Sequence, residues 1–218
     1  MTLAFPLALA EFWDLLPIST VALDCAPQIE SSGTGAGQQL TRELAPALWR
    51  GTVTLGRITP AEAADAMALV DLARQSGASF LACDLTRPYP LLDPDGAVLG
   101  TAAVTVQSIG ATRRDLRLTG LPPNYQLRRG DLVGVTWGAS PLRYGLHRIV
   151  VASSADATGL TGWCEVAPAL SSALTTGAAA SLARPPVMAM MVPGSVRAGT
   201  LRRGLVEGAA FDFIQTLR

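Results

Sequence analysis

Short strand-like segments separated by turn residues run from residue 102 to residue 168, and no convincing helix pattern interrupts them. β-Branched and aromatic residues recur within these segments, while Gly, Pro, Asp and Asn cluster between them, a pattern typical of strands and turns. The segments are AVTVQSI, RDLRLTG, DLVGVTW, YGLHRIVVA and GWCEVAP. Short strands at this spacing predict a small antiparallel β-barrel or sandwich.

The clearest helix pattern lies upstream of this region. Thr59-Pro60-Ala61-Glu62 has the form of a capping box with proline at the first helical position. We expect the Thr59 hydroxyl to accept a hydrogen bond from the Glu62 amide, and the helix to end near Gly77. Strand patterns flank this helix at TVALDC (20–25), ALWRGTVTLGRI (47–58) and ASFLACD (78–84).

Three other segments are predicted to be loops or connections. Residues 31–39, SSGTGAGQQ, predict a flexible loop or a hairpin tip. Residues 85–101 contain three prolines and an Asp-Gly turn, which predicts a connection and a candidate domain boundary. Residues 169–183 predict a helical turn or a loop, and strand patterns follow at VMAMMVP, RRGLVE and AAFDFIQTLR. The predicted class is therefore α+β and mainly β.

Composition bears on whether the chain works alone. Hydrophobic residues make up 49% of the chain and charged residues only 16%, with a mean hydropathy of +0.33. These values exclude a disordered chain. They are high for a soluble monomer, which indicates apolar surface buried in an assembly. An alanine-rich composition that inflates the index is the alternative explanation.

The charges argue against several partners and chemistries. Seventeen basic and seventeen acidic residues cancel, and there is no basic stripe, so direct sequence-specific binding of nucleic acid is not expected. All the basic residues are arginine, which excludes Schiff bases, a Walker-type phosphate loop and a Ser-Lys dyad.

The N-terminal sequence MTLAFPLALAEFWDLLP superficially resembles a signal peptide. It lacks a positive first region, and Glu11 and Asp14 interrupt the apolar run. We therefore expect an N-terminal strand and turn without an export signal. No stretch reaches the ~18 apolar residues of a bilayer-crossing helix, so no membrane span is expected.

Candidate nucleophiles and metal ligands are sparse. Cys25, Cys83 and Cys164 lie far apart with no CxxC pair, which favours buried free thiols in a protein made in the cytoplasm. His147 is the only histidine, and in YGLHRIVV it is expected to be a hydrogen-bonded structural residue that alternates with its neighbours across a strand. Ser195 in PGSVRAG fails the nucleophile-elbow spacing, and nothing supports a Ser195–His147–Asp arrangement.

The carboxylates and glycines favour turns over sites. Asp84, Asp93 and Asp95 lie near one another, but Asp93-Pro94-Asp95-Gly96 is better explained as turn chemistry than as a glycosidase pair, and Asp156 is also turn-like. The glycines at 33, 35 and 37 lack the framing of a dinucleotide fingerprint.

Aromatic residues leave one alternative open. Exposed tryptophans form sugar-binding platforms, whereas scattered ones usually anchor cores and interfaces. The four tryptophans are Trp13, Trp49, Trp137 and Trp163. A carbohydrate-binding insert that uses Trp137 or Trp163 therefore remains an alternative.

The tripeptide Arg129-Gly130-Asp131 matches a known adhesion signal. It lies between a turn, GLPPNY, and a strand, LVGVTW, so we interpret it as the turn that begins the strand. On this interpretation Asp131→Glu should leave assembly intact, and Gly130→Val should harm folding if Gly130 has a positive φ.

The second half of the chain resembles a known family. The segments that carry the resemblance are GLPPNYQLRRGDLVGVTWG, LHRIVVASSADATG, VAPAL, LARPPVMAMMVPGS and GLVEGAAFDFIQTLR. They resemble tail proteins of long-tailed phages and of alphaproteobacterial gene transfer agents, most of all a distal tail protein, the adaptor between tail tube and tail tip. The first half, with WRGTVTLGRI and the capped helix, is compatible with this family.

The resemblance implies a fold and a role. It implies a tail-tube-like β-sandwich or split barrel with one packed helix, formed by residues 1–103 and 184–218, and a small inserted β-barrel at 104–183. It further implies a hexameric ring in a virion tail or baseplate, with the tail tube protein, the tail-tip hub protein and the tape measure protein as candidate neighbours. No enzyme activity, catalytic residue, cofactor or metal is expected. A receptor- or carbohydrate-binding tail module is the alternative function, and a cell-wall hydrolase that uses His147 is a weaker one.

Overall fold

The structure, a computed structural model, describes residues 4–217. These residues form mainly antiparallel β-strands and one α-helix, which confirms the predicted α+β, mainly β class. The elements in chain order are β1 (Ile18–Gly33), β2 (Gln39–Leu55), α1 (Pro60–Ala73), β3 (Phe80–Ala82), β4 (Thr105–Ile109), β5 (Asp115–Thr119), β6 (Gln126–Leu127), β7 (Leu132–Trp137), β8 (Arg143–Ile149), β9 (Ser153–Ser154), β10 (Cys164–Ala167), β11 (Ala179–Ser181), β12 (Val187–Met191), β13 (Arg197–Arg202) and β14 (Leu205–Gln215).

Helix α1 begins as its sequence predicts. The Thr59 hydroxyl accepts a hydrogen bond from the Glu62 amide at 3.3 Å, and the Glu62 carboxylate accepts one from the Thr59 amide at 2.8 Å. These two bonds satisfy amides at the helix start that have no partner within the helix. The helix ends at Ala73, slightly before the predicted end, and Gly77 lies in the turn that follows. Its buried residues are mostly alanines, so α1 packs close to its neighbours.

Six strands form an antiparallel sheet outside the barrel, in the order β1-β2-β14-β12-β3, with β13 pairing alongside β14. The aromatic residues of β14 alternate toward the core of this sheet. Phe211 packs edge-on against Phe80 at 6.4 Å between ring centroids, and Phe213 packs edge-on against Trp13 at 5.6 Å. All four rings are buried, and burial of such large apolar side chains stabilises the sheet.

The N-terminal segment differs from its prediction, which was a strand and a turn. Leu9–Glu11 and Trp13–Leu15 form two short 3-10 helices, and the strand character is limited to one parallel bridge from Leu7 to Phe80. Phe12 and Trp13 are buried beside Phe80. This burial outweighs the local strand preference. Residues 1–3 of this segment lie outside the described residues.

A long hairpin, β1–β2, extends beyond the sheet. The predicted hairpin tip at 31–39 is confirmed in position, but both strands run further into it than expected, and only residues 34–38 form the turn. Strand β14 pairs with β2 only at residues 50–54, whereas β1 pairs with β2 back to Gln39. We call residues 28–45 the arm. No residue of the arm is buried.

The barrel closes with six strands in the order β10-β5-β4-β11-β7-β8. All of them lie between residues 105 and 181, whereas the sheet strands lie up to residue 82 and from residue 187 onward. Strand β11 falls within 169–183, so the prediction of a helical turn or loop was wrong for Ala179–Ser181. These small residues have weak strand preference, but β4 and β7 each pair with them and complete the barrel.

Candidate functional site

Strand β8 separates the barrel interior from the neighbouring sheet. Gly145 and His147 lie directly opposite Val135 and Val133 of β7. Opposite residues of an antiparallel pair point to the same face, and both valines belong to the barrel core. Gly145 and His147 therefore face the barrel side.

The other face of β8 packs against the sheet. As predicted, Leu146 and Arg148 alternate with His147, and Leu146 is buried in the core of the sheet. The Leu146 carbonyl accepts a hydrogen bond from Trp49 Nε1 at 2.6 Å, and the Arg148 guanidinium lies 5.2 Å from the centroid of the Trp49 ring. Trp49 thus binds β8 through a hydrogen bond and a cation–π contact, which fixes the strand between the two cores.

A cavity of about 650 Å³ lies beside His147, where the barrel meets the base of the arm and the C-terminal residues. This volume is within the usual range for small-molecule sites. The barrel contributes Trp137, Gly145, His147, Val166 and the segment 167–172, and the rest of the chain contributes Glu43, Pro46, Gln215 and Leu217. We call this space the His147 cavity.

The chemistry of His147 is set by one hydrogen bond and by burial. Its side chain is only 4% exposed, and Nδ1 lies 2.8 Å from the Pro168 carbonyl oxygen. A carbonyl can only accept, so Nδ1 carries the proton and Nε2 presents a lone pair. Burial lowers the pKa of His147 to about 4, although the Pro168 carbonyl raises it, so the ring is neutral near pH 7. The predicted structural hydrogen bond of this histidine is confirmed.

One wall of the cavity is held by Arg113, a residue whose role the sequence did not indicate. Its guanidinium donates hydrogen bonds to the carbonyls of Ser171 at 3.1 Å, Ser172 at 3.0 Å and Leu174 at 2.8 Å. Ser171 and Ser172 line the cavity. In the sequence, Arg113 and Arg114 give only the signal of a charged turn before a strand.

The structure does not bring the other candidate residues to this cavity. The Ser195 hydroxyl donates to the Val192 carbonyl at 2.8 Å and accepts from the Asp212 amide at 3.0 Å. Among the described residues it has no hydrogen bond to His147. A Ser195–His147 pair is therefore not formed.

The carboxylates accept hydrogen bonds from groups nearby in the sequence, as the turn prediction for Asp95 and Asp156 implies. Asp84 accepts hydrogen bonds from Thr86, Asp95 from the Ala97 amide, and Asp156 from Thr158 and Leu160. Asp93 is more than a turn residue, because it is buried and accepts from the amides of residues 98 and 99 and from the Tyr125 hydroxyl. Burial would raise the pKa of Asp93, but these hydrogen bonds together lower it.

Arg129-Gly130-Asp131 is a turn that leads into β7, as predicted. Gly130 has a φ of +97°, a backbone conformation that suits glycine. Asp131 is only 2% exposed, and its carboxylate accepts hydrogen bonds from the Leu91 amide at 2.9 Å and the Arg128 amide at 2.7 Å. The burial of Asp131 is incompatible with display as an adhesion ligand. We therefore expect Asp131→Glu to destabilise the fold, because the longer side chain would displace both bonds.

The tryptophans divide between core and surface. Trp13 and Trp49 are buried in the core of the sheet, as expected of anchors. Trp137 is half-buried at the His147 cavity, and its Nε1 is a buried donor without a partner among the described residues. Trp163 is 51% exposed on the barrel surface, with the Arg117 guanidinium 5.8 Å from its ring centroid.

The three cysteines are free thiols. Cys83 and Cys164 are buried, and Cys25 is partly buried. Burial raises the pKa of all three thiols, so they are protonated near pH 7. Within residues 4–217 no group of three or more His, Cys, Asp or Glu side chains is arranged to hold a metal ion. The same range has no helix with the length and apolar character needed to cross a bilayer.

Comparison with known proteins adds no family assignment. The chain matches no protein-family model, and no curated protein matches it.

Proposed function

We propose that the chain is a structural subunit of a virus-like tail, a distal tail or baseplate ring protein that joins the tail tube to the tail tip. The observation that carries this proposal is the arm. Its two strands extend beyond the sheet and leave apolar side chains and backbone edges in water. The proposed role needs no catalytic residue, cofactor or metal.

The arm has the properties of a segment completed by another molecule. Ile29 is 53% exposed, and Leu40 and Leu44 are each 61% exposed. An isolated two-stranded hairpin is marginally stable in water, and unpaired strand edges readily accept another chain. A neighbouring subunit that covers the arm would bury these three side chains and satisfy its free backbone groups.

A second copy of the chain is the proposed neighbour. The arm leaves the β1 side of the sheet, whereas β3 lies at the opposite end of the strand order. An arm that contacts a different surface of the next copy forms a heterologous interface, and such interfaces produce closed rings when the rotation fits. The low charged content of 16% agrees with buried subunit contacts. The tail tube, tail-tip hub and tape measure proteins are the further proposed neighbours of a hexameric ring.

A second candidate function is a receptor- or carbohydrate-binding tail module. The observation that favours it is the His147 cavity, which combines an aromatic ring, a buried acceptor and charged groups at its edge. The cavity lies next to the arm and shares Glu43 with it, so a neighbour that covers the arm would lie close to the cavity.

Light scattering on the purified chain, with negative-stain images of the same fraction, tests the ring. We expect a closed ring of about six copies. A Leu40→Asp/Leu44→Asp double variant should remain monomeric, because it places charge in the proposed interface. The control is Leu92→Asp, at a 47% exposed leucine in the connection before the barrel, and it should still assemble.

The proposal fails if the wild-type chain stays monomeric even with the tail tube protein present as a template. If the double variant forms the same ring as the wild type, the arm is not part of the interface and that part of the proposal is wrong.

A further inference from the structure

A smaller cavity, of about 210 Å³, lies where the sheet, the segment that follows β3 and the barrel meet. The sheet contributes Leu23, the segment after β3 contributes Asp84, Thr86 and Arg87, and the barrel contributes Gly130 and Arg148. Thr86 and Arg87 are exposed, so the cavity is reached from solvent. We call this space the arginine cavity.

Arg148 is held in position at this cavity, but the chain supplies no acceptor for its charge. Its guanidinium lies 5.2 Å from the centroid of the Trp49 ring, and the hydrogen bond from Trp49 to the Leu146 carbonyl fixes that ring. Nε of Arg148 is buried and has no hydrogen-bond partner among the described residues, and no ion pair within residues 4–217 includes this arginine. The cation–π contact positions the guanidinium without an acceptor oxygen, whereas buried donors nearly always have one.

Arg87 brings a second guanidinium to the same cavity. Among the described residues it donates only to the Gly130 carbonyl, through a long hydrogen bond of 3.4 Å. Neither arginine forms an ion pair with Asp84, whose Oδ1 accepts from the amide and the hydroxyl of Thr86 at 2.8 and 2.6 Å. Two positive groups and one negative group therefore line the cavity, and an oxyanion is the ligand that both guanidiniums can bind.

The size of the cavity and the Asp84 carboxylate narrow the choice of anion. Its volume is below the roughly 300–1,000 Å³ of most small-molecule sites, and it suits a single small oxyanion. An ionised carboxylate can only accept hydrogen bonds, so a ligand at Asp84 needs a donor as well as acceptors. Inorganic phosphate has an O–H in both forms that are present near pH 7, whereas sulfate has none. The lining therefore favours phosphate over sulfate.

We propose that the arginine cavity binds inorganic phosphate. Arg87 and Arg148 donate to its oxygens, and its O–H donates to the Asp84 carboxylate. Because the lining comes from the sheet, the segment after β3 and the barrel, the bound anion links these three parts and stabilises the folded chain. This inference goes beyond the proposed function and does not depend on the arm or on ring formation.

Titration calorimetry near pH 7 tests the site directly. The probes are inorganic phosphate, sulfate and glycerol 3-phosphate at matched ionic strength, and the last of these represents a phosphate ester, which is mostly without an O–H at this pH. We expect saturable binding of phosphate and at least fivefold weaker binding of the other two. Urea unfolding in the same solutions should show a higher midpoint in phosphate than in sulfate, a comparison that removes the general stabilising effect of both salts.

Matched arginine variants locate the contact. Arg148→Gln and Arg87→Gln should each weaken phosphate binding about tenfold, because each removes a charged donor. The Arg87 variant decides the test if loss of the Trp49 contact unfolds the Arg148 variant, since Arg87 is exposed. The control is Arg197→Gln, at an exposed arginine of β13, and it should bind phosphate like the wild type. Asp84→Asn should reduce the preference for phosphate over sulfate, because an amide can donate to sulfate.

Four results would overturn the inference. The first is a titration without saturable binding of phosphate, and the second is binding of sulfate or glycerol 3-phosphate as tight as that of phosphate. The third is an Arg87→Gln variant that binds phosphate as tightly as the Arg197→Gln control, which would place any bound phosphate elsewhere. The fourth is an unchanged preference for phosphate in Asp84→Asn, which would remove the reason for choosing this anion.

Discussion

The barrel and the arm both consist of antiparallel strands, but these strands differ in the number of neighbours with which they pair. Every barrel strand has a neighbour on both sides, whereas β1 pairs only with β2, and β2 has no second partner before residue 50. Val133 of the barrel is completely buried, whereas Leu40 of the arm is 61% exposed. Packing against other elements, rather than local sequence, decides which apolar side chains enter a core.

The arm therefore leaves apolar side chains exposed to solvent. Pro27 and Pro46 lie at its base, where the register between β1 and β2 shifts. Proline cannot donate a ladder hydrogen bond, so these residues weaken the pairing at the point where the arm leaves the sheet. The barrel is stabilised by its own core, whereas none of the residues of the arm is buried.

The largest expected effect is on the free energy of unfolding, and it separates a leucine-to-alanine substitution in the barrel from one in the arm. Leu118 is completely buried in the barrel. Leu118→Ala should lower the free energy of unfolding by about 2–5 kcal/mol, because it leaves a cavity among close-packed side chains. Leu40→Ala should change it by less than about 0.5 kcal/mol in the dissociated chain. Urea unfolding of the two variants measures the difference, and equal losses would contradict the contrast between the two regions.

The next effect concerns a buried charge that ties the barrel to the connection before it. Asp131→Ala should lower the free energy of unfolding by about 2–3 kcal/mol, since it leaves the amides of Leu91 and Arg128 without their acceptor. Asp131→Glu should also destabilise the fold. Asp95→Ala is the control, because Asp95 is exposed and accepts a hydrogen bond from the Ala97 amide two residues away, and it should cost about 0.5 kcal/mol. Thermal or urea unfolding that leaves the Asp131 variants at wild-type stability would refute this role.

We expect the free energy of unfolding to depend on pH through His147. The pKa of His147 is lowered from its ordinary value of 6.5 to about 4 by burial. Between these values the unfolded chain binds a proton that the folded chain does not, so stability is complete above pH 6.5 and falls as the pH decreases toward 4. The expected loss from this group is about 2 kcal/mol between pH 7 and pH 5.

The matched variant for this test is His147→Gln, which does not titrate. Urea midpoints at pH 7 and pH 5 are compared in both proteins, so that the carboxylates, which titrate in both, cancel. If the wild-type chain loses no more stability than the glutamine variant, protonation of His147 does not destabilise the folded chain, and the prediction is wrong.

The smallest effect should appear at the base of the arm. Gln28 Nε2 donates a hydrogen bond to the Pro46 carbonyl at 2.9 Å, across the hairpin. Gln28→Ala should reduce global stability by about 0.5 kcal/mol or less, because the bond lies near solvent. It should nevertheless speed hydrogen exchange at residues 29–44 while the amides of β7 keep their protection. Faster exchange in β7 would mean that the arm and the barrel unfold together.

Local features were predicted well from the sequence because their causes are local. The Thr59–Glu62 capping box, the hairpin tip near residues 34–38 and the Gly130 turn each depend on residues a few positions apart. The mainly β class also followed from the alternation of apolar residues with turns. Two of the predictions that failed were the N-terminal strand and the loop at Ala179–Ser181, and in both cases distant segments overrode a weak local preference. The predicted strand RRGLVE is also divided, by a turn at residues 203–204 between β13 and β14.

The candidate site was visible only in part. The sequence singled out His147 as the only histidine and Trp137 as one of two candidate aromatic residues for ligand binding, but it gave no reason to place them together. Their proximity depends on the register that sets Gly145 opposite Val135 and Trp137 opposite Arg143. The Pro168 carbonyl that fixes the histidine tautomer lies 21 positions away, and its role could not be read from any motif.

The sequence by itself therefore determined the class of the protein, its capped helix and its turns, since these follow from short-range hydrogen bonding and apolar periodicity. The tertiary structure decided the closure of the barrel, the burial of Asp131 and the cavity beside His147. The Asp131 carboxylate meets an amide 40 positions away, and Trp49 binds a carbonyl 97 positions away. Contacts at such separations depend on how whole sheets pack, and a linear pattern of residue types does not contain that information.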